Sequence, residues 1–285
     1  MKTGIYPGCS LTGSARDYNQ SVFELAKAFE IEFMEIPDWN CCGATAAHNL
    51  SKDLSLALPA RIIALAEAHK IQEIVVPCAA CYSRLVVTQY ELNKDPELKS
   101  RINKILEMDY TGNVSILNVI QWIDKYITPN LDEKLSRPFN HKVACYYGCL
   151  LVRPSKILNY DRVEDPQSMD MVMNKIGAET IDFPFKTECC GAGFSVSRTD
   201  LVSKLSGKII REATRRKADA IVVACPMCHS NLDMRRGDIN KYWKTNYNIP
   251  VIYVTQAIGI AIGLTEAQTG LRRHFVDVRL AEVKN

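Results

Sequence analysis

Ten of the eleven cysteines in this 285-residue chain repeat one pattern twice. Tyr6-Pro-Gly-Cys9 aligns with Tyr146-Tyr-Gly-Cys149, Cys41-Cys-Gly-Ala44 with Cys189-Cys-Gly-Ala192, and Val75-Val-Pro-Cys78-Ala-Ala-Cys81 with Val222-Val-Ala-Cys225-Pro-Met-Cys228. The doublet and the next cysteine are 36 residues apart in the first block (Cys42 to Cys78) and 35 in the second (Cys190 to Cys225). Val119-Ile-Gln121 has a partner in Val254-Thr-Gln256. Agreement at several anchors points to a duplicated domain. Cys145 is the odd one: it aligns with Ile5 inside an apolar run, where a free cysteine behaves as a small buried hydrophobe.

Thiols so grouped are metal ligands or redox groups. The chain opens MKTGIYPGCS, without a basic segment leading into an apolar one, so a reducing compartment is expected and a disulfide framework is not. Structural zinc takes four ligands, as does a cubane iron–sulfur cluster. Each block offers five, including an adjacent doublet. The surplus recurs, which favours a larger or distorted iron–sulfur centre over a spare cysteine. Two structural zinc sites remain the alternative from another class.

The elements that must position these thiols alternate between strand and helix periods, the pattern of a parallel sheet with crossover helices. Strands are expected near Thr3–Tyr6, Ile31–Ile36, Glu73–Val76 and Val114–Asn118, then Lys142–Tyr146, Thr180–Phe183, Ala220–Ala224 and Val251–Val254. Helices are expected near Arg16–Phe29, Lys52–His69, Tyr82–Leu92 and Glu97–Leu106, then Met169–Ile176, Asp200–Arg216 and Met227–Trp243. The joint falls at Thr128–Asn140, which holds two prolines. The reading is an α/β fold with domains at 1–130 and 141–264, each a mainly parallel sheet with flanking helices, related by a pseudo-twofold, and a tail at 265–285. In such folds the cysteines that follow strands gather at the carboxyl edge of the sheet. Both Cys-x-x-Cys pairs fall at helix starts, where free N–H groups favour thiolate.

The pattern of Cys, then Cys-Cys-Gly, then Cys-x-x-Cys, present twice over nearly the whole chain, resembles the cysteine-rich CCG domain family, and within it the B subunits of the CoB–CoM heterodisulfide reductases of methanogenesis. The resemblance implies two non-cubane [4Fe–4S] clusters flanking a disulfide substrate. One belongs to Cys9, Cys41, Cys42, Cys78 and Cys81, the other to Cys149, Cys189, Cys190, Cys225 and Cys228. One departure is Pro226 inside the second Cys-x-x-Cys, where the first has Pro77 just before it. It further implies a cytoplasmic catalytic component that reduces CoM-S-S-CoB to coenzyme M and coenzyme B thiols. Its partners would be a ferredoxin-like C subunit and a flavin-containing A subunit, coupled in many methanogens to a hydrogenase. Related domains serve in electron transfer in glycolate or lactate oxidation and in succinate dehydrogenase or fumarate reductase assemblies, which is the runner-up reading.

Reducing a disulfide takes two electrons, and releasing the thiols takes two protons. His48, six residues after Cys42, and His229, next to Cys228, are the candidate donors, with a surface or capping role as the alternative for each. Lys186 and Arg198, near the second doublet, are candidate partners for the anionic groups that the resemblance gives the substrate; the alternative is a solvated surface charge.

Several classes are excluded. Lys plus Arg exceed Asp plus Glu by only three, too few to suggest nucleic acid. The apolar runs Ala220–Ala224 and Val251–Val254 are far short of the roughly 20 residues that span a bilayer. Gly191-Ala-Gly193 lacks the third small residue of a dinucleotide fingerprint, since Val196 stands there, and neither a phosphate-binding loop nor a serine-nucleophile motif is present. The pairs Arg215-Arg216, Arg235-Arg236 and Arg272-Arg273 read as wet helix faces or tail, with partner docking as the sharper option. Phe275–Leu280 alternates apolar and polar residues, as an edge strand or a docking strand would.

Overall fold

The computed structural model describes residues 2–280. The first half runs β1 (Lys2–Ile5), α1 (Gly8–Thr12), α2 (Arg16–Ala28), β2 (Glu32–Glu35), α3 (Ala47–Leu50), α4 (Lys52–Ala68), β3 (Glu73–Val76), α5 (Ala79–Lys94), α6 (Pro96–Leu106), β4 (Ser115–Asn118) and α7 (Val119–Trp122). A π-helical turn (Ile123–Ile127), a 3-10 turn (Thr128–Asn130) and α8 (Leu131–Lys134) form the joint. The second half runs β5 (Lys142–Tyr146), α9 (Ser168–Lys175), β6 (Glu179–Thr180), α10 (Thr199–Arg215), β7 (Ala220–Val223), α11 (Pro226–Leu232), α12 (Arg236–Trp243), β8 (Val251–Tyr253), α13 (Val254–Ala261) and α14 (Glu266–Thr269).

Each half carries a four-stranded, all-parallel sheet, ordered β2-β1-β3-β4 in one and β6-β5-β7-β8 in the other. The identical order is the structural form of the duplication. The central strands β3 and β7 are mostly buried because helices cover both faces: Ile74, Val75 and Val76 of β3 and all of β7 are buried. The recurring Val-x-Gln has a local cause. Gln121 Oε1 accepts the Asn118 N–H at 3.0 Å, and Gln256 Oε1 accepts the Tyr253 N–H at 2.9 Å, so each glutamine closes the turn from the last strand into the next helix. Asp95 caps α6 with its own side chain, and Pro96 takes the first helical position.

The halves pack through α2 and α13. Tyr18 stacks on Tyr253 with ring centroids 3.9 Å apart, and the Ser21 and Thr255 hydroxyls lie 2.7 Å apart. α14 lies back over α2, with Gln20 donating to the Ala267 carbonyl and Gln268 to Glu24 at 3.1 Å.

Four expectations need correction. The strand expected at Thr180–Phe183 is only Glu179–Thr180: its pairing with β5 ends at Val143, and beyond it Asp182 pairs with Arg216. The single helix expected at Met227–Trp243 is two, α11 and α12, parted at Asp233–Arg235. Arg236, expected on a wet face or in the tail, is buried, its guanidinium donating to the Leu232 and Ile249 carbonyls at 3.0 and 2.8 Å. Phe275–Leu280 is neither an edge strand nor a free docking strand: the buried Asp233 carboxylate accepts the N–H groups of Phe275 and Val276 at 2.8 and 3.1 Å, and His141 Nε2 lies 3.0 Å from the Leu280 carbonyl. The rest of the tail, 281–285, lies outside the described residues.

Candidate metal centres

The cysteines of each half come from the carboxyl ends of neighbouring strands, on either side of the point where strand order reverses. β1 ends in the turn that carries Cys9, and β5 in the turn that carries Cys149. The glycine in each turn, Gly8 at φ +62° and Gly148 at φ +71°, takes a left-handed conformation. It also lets backbone pass close to sulfur: a Cβ on Gly148 would stand 2.9 Å from Cys228 Sγ, and one on Gly8 3.4 Å from Cys81 Sγ. The doublets follow β2 and β6. Cys42 Sγ lies 3.0 Å from Cys81 Sγ, and Cys190 Sγ 3.6 Å from Cys228 Sγ. The Gly43 and Gly191 N–H groups point at Cys41 Sγ and Cys189 Sγ, at 3.5 and 3.3 Å. Cys78 and Cys225 are the N-caps of α5 and α11, and helix-start N–H groups bond their sulfurs, that of Cys81 to Cys78 and those of Met227 and Cys228 to Cys225.

The thiols in each half therefore form a cup, with Cys42, Cys78 and Cys81 or Cys190, Cys225 and Cys228 buried at its floor and Cys9, Cys41 or Cys189 exposed at its mouth; Cys149 is half-buried. The floors meet. Cys78 and Cys225 interact thiol to thiol across the boundary between halves, and the Tyr18 hydroxyl stands 3.4 Å from both the Pro77 and the Ala224 carbonyl.

Crowding splits the thiol acidities. Hydrogen bonds from Cys41 and Cys81 pull the Cys42 thiol down, and the bond to Cys42 pushes Cys41 up. A bond from Cys149 lowers Cys189 to about 6 while raising Cys149 itself, and bonds from Cys228 and Cys78 pull Cys225 down. Burial, then the charges of Cys81, Cys42, Cys41 and Cys9, raise the Tyr6 phenol; burial, then Cys228, Cys190, Cys149 and Cys189, do the same to Tyr146. Several thiolates cannot share so small a buried volume unless a cation offsets them. A soft, highly charged group with sulfur-binding irons suits this donor set, so the residues fit an iron–sulfur centre in each cup.

The structure disposes of the other expected site residues as follows. His48 is exposed on α3. His229 is buried, its ring stacked on Tyr253 at 4.4 Å and its Nε2 3.1 Å from the Val251 carbonyl. Burial lowers its pKa to about 4. Lys186 is buried rather than a solvated surface charge. Its buried ammonium is held by Asp165 at 3.0 Å, Asp170 at 3.1 Å and the Pro166 carbonyl at 2.9 Å. Arg198 is exposed and paired with Asp200. Cys145, fully buried on β5, sits against Asp170 and Lys186 rather than in the cup.

Sequence reasoning missed a polar cluster behind the junction. His274 Nε2 lies 3.2 Å from Asp17 Oδ2, and its Nδ1 3.4 Å from His229 Nε2; Gln256 Nε2 is 2.9 Å from His274 Nε2. Burial raises the Asp17 carboxyl, but the hydrogen bond to His274 and the electrostatic pull of the two adjoining imidazoles outweigh it and leave a net lowering. Nothing local signals a pairing of α2 with the C-terminal segment. The burial of the Tyr6 and Tyr146 phenols beside the thiols of their own halves was also missed, although Tyr-x-Gly-Cys occurs in both.

The cysteine-rich domain named CCG matches residues 3–86 and again 143–233. The chain belongs to the CCG cysteine-rich domain family. It is 30% identical over 282 residues to the B subunit of the Ferredoxin/F420H2-dependent CoB-CoM heterodisulfide reductase of Methanosarcina acetivorans, covering 96% of this chain and 94% of that protein. It is 29% identical over 277 residues to the 8-methylmenaquinol:fumarate reductase membrane anchor subunit of Wolinella succinogenes, covering 96% of each. Both names are those of components of oxidoreductase complexes. A hypothetical protein from Helicobacter pylori shares the fold, with a TM-score of 0.80 at 15% identity over 97% of this chain, which spans 52% of that one. Among the described residues no helix is long and apolar enough to cross a membrane.

Proposed function

We propose that this chain is the disulfide-reducing component of a cytoplasmic heterodisulfide reductase complex, with an iron–sulfur centre held by the five cysteines of each half. The observation that carries the reading is the pair of equivalent thiol cups that open at Cys9, Cys41 and Cys189 and adjoin at Cys78 and Cys225. When bound, two such centres of the non-cubane [4Fe–4S] type supply two electrons one at a time. The overall change balances as one disulfide, two electrons and two protons giving two thiols, CoM-S-S-CoB being the proposed substrate.

The chain's own residues provide the frame. Residues 1–130 and 141–264 act as two halves, each offering one cup; Gly8 and Gly148 let the turn backbone pass close to the Cys81 and Cys228 thiols, and the buried walls keep water from the floor. Of the two histidines, only His48 lies on the exposed side. Electrons come from partner proteins, a ferredoxin-like C subunit and a flavin-containing A subunit, with hydrogenase as a more distant source.

A second reading, an electron-transfer component of a quinol-linked fumarate reductase type assembly, is favoured by the Wolinella relative, which matches over an equal span. Iron and sulfide analysis comes first: zinc without sulfide would refute both readings. The chemically reduced, iron-loaded chain is then offered CoM-S-S-CoB under anaerobic conditions. Turnover supports the first reading. A fully loaded chain that leaves the heterodisulfide intact refutes it and leaves the second.

A further inference from the structure

Two tyrosines occupy the same place in the two halves. Tyr6 follows the last residue of β1 and Tyr146 ends β5, each three residues before the first cysteine of its set. Both rings are buried, at 1% and 0% exposure. The Tyr6 hydroxyl donates to the Asn40 carbonyl at 2.9 Å, and the Tyr146 hydroxyl to the Glu188 carbonyl at 2.6 Å. Asn40 and Glu188 each directly precede a doublet. The contact spans 34 residues in one half and 42 in the other, so its recurrence does not follow from an equal loop length.

We infer that Tyr6 and Tyr146 are positioning residues for the doublets, each fixing the peptide that presents Cys41 or Cys189 and withdrawing that peptide's carbonyl dipole from the thiolates. The inference rests on the reading that each cup holds an iron–sulfur centre. The carbonyl and the first doublet cysteine share one peptide plane, so rotation of that peptide swings both. The phenol, packed against the thiols of its own set, prevents the rotation by holding the carbonyl oxygen. Loss of the hydroxyl takes from this part-buried carbonyl its donor and leaves its negative end free on the side of the doublet. That field disfavours the more negative, reduced state of the centre, so its midpoint potential falls.

The test uses the full-length chain, loaded with iron and sulfide anaerobically, as wild type, Tyr6→Phe, Tyr146→Phe and, as control, Tyr110→Phe, another buried tyrosine of the first half. Two quantities are read: the rate of iron release to a chelator and the midpoint potentials of the two centres. A neutral hydrogen bond corresponds to roughly a fivefold change in a local opening equilibrium. Tyr6→Phe should therefore release the iron of one half about fivefold faster and lower one potential, and Tyr146→Phe should do the same to the other; Tyr110→Phe should do neither. Failure of one variant to load only its own half supports the inference as well. Wild-type release rates and potentials in both loaded variants would overturn it while leaving the iron–sulfur reading intact, and equal effects on both halves would do so too. A wild-type chain that takes up no iron would overturn both.

Discussion

Gly148→Ala separates what the backbone demands from what a bound centre demands. At φ +71° an alanine meets the left-handed penalty of about 1–2 kcal/mol. Its Cβ would also stand 2.9 Å from Cys228 Sγ, well inside contact distance. A free thiol can rotate away from that methyl at little cost. A sulfur held by a metal centre cannot, and the crowding then adds about 1–3 kcal/mol. Gly8 is the internal control: φ is +62°, so the backbone penalty is alike, but the nearest sulfur would be 3.4 Å away, in ordinary contact. In the iron-free chain the two alanine variants should lose similar stability, about 1–2 kcal/mol each. In the iron-loaded chain Gly148→Ala should lose about 2–4 kcal/mol, or shed the iron of its half, while Gly8→Ala keeps its iron. Thermal unfolding at about 3 °C per kcal/mol, read beside iron per chain, measures both. Equal losses in the loaded state, or a Gly148→Ala chain with full iron and unchanged melting, would refute the close approach of this turn to a held sulfur.

Cys145→Ala should keep the iron of both halves and cost about 1 kcal/mol of packing, whereas Cys149→Ala should lose the second centre; iron counting with thermal unfolding decides, and the opposite pattern would move the first-ligand role to Cys145. Lys186→Met leaves the buried Asp170 without its partner and should cost about 3 kcal/mol, seen as a lower denaturant midpoint, with iron content unaffected. The Asp17 carboxyl is held below its ordinary range in the folded chain, so its contribution to stability is present above the unfolded value of about 4 and is lost as pH falls below it. Asp17→Asn should accordingly flatten the acid limb of stability below about pH 4 in pH-dependent unfolding; an unchanged limb would show that another group governs it.

Local and periodic features were legible in the residues alone. Alternating strand and helix periods set the βα order of each half, and the repeated anchors set the duplication, which the fold expresses as one strand order used twice. The helix start at Cys78-x-x-Cys81 is equally legible, because a helix start is set by residues a few positions away, whereas the repeat at Gln121 and Gln256 was visible without its capping role. Whatever joins distant segments was decided only by the tertiary structure. The break between α11 and α12 lies where Asp233 receives the backbone of a tail some forty residues on, and periodicity cannot report a partner that far along the chain. Lys186 reads as a free cation near the doublet until the fold brings Asp165 and Asp170 around it and burial makes their separation costly. The meeting of Cys78 with Cys225 under Tyr18, and of Asp17 with His274, depends on how two similar halves are docked. A repeat describes each half well and does not report the surface on which the two halves meet, because that surface joins elements that hold different places in the two halves, α2 of the first with α13 and the C-terminal segment of the second.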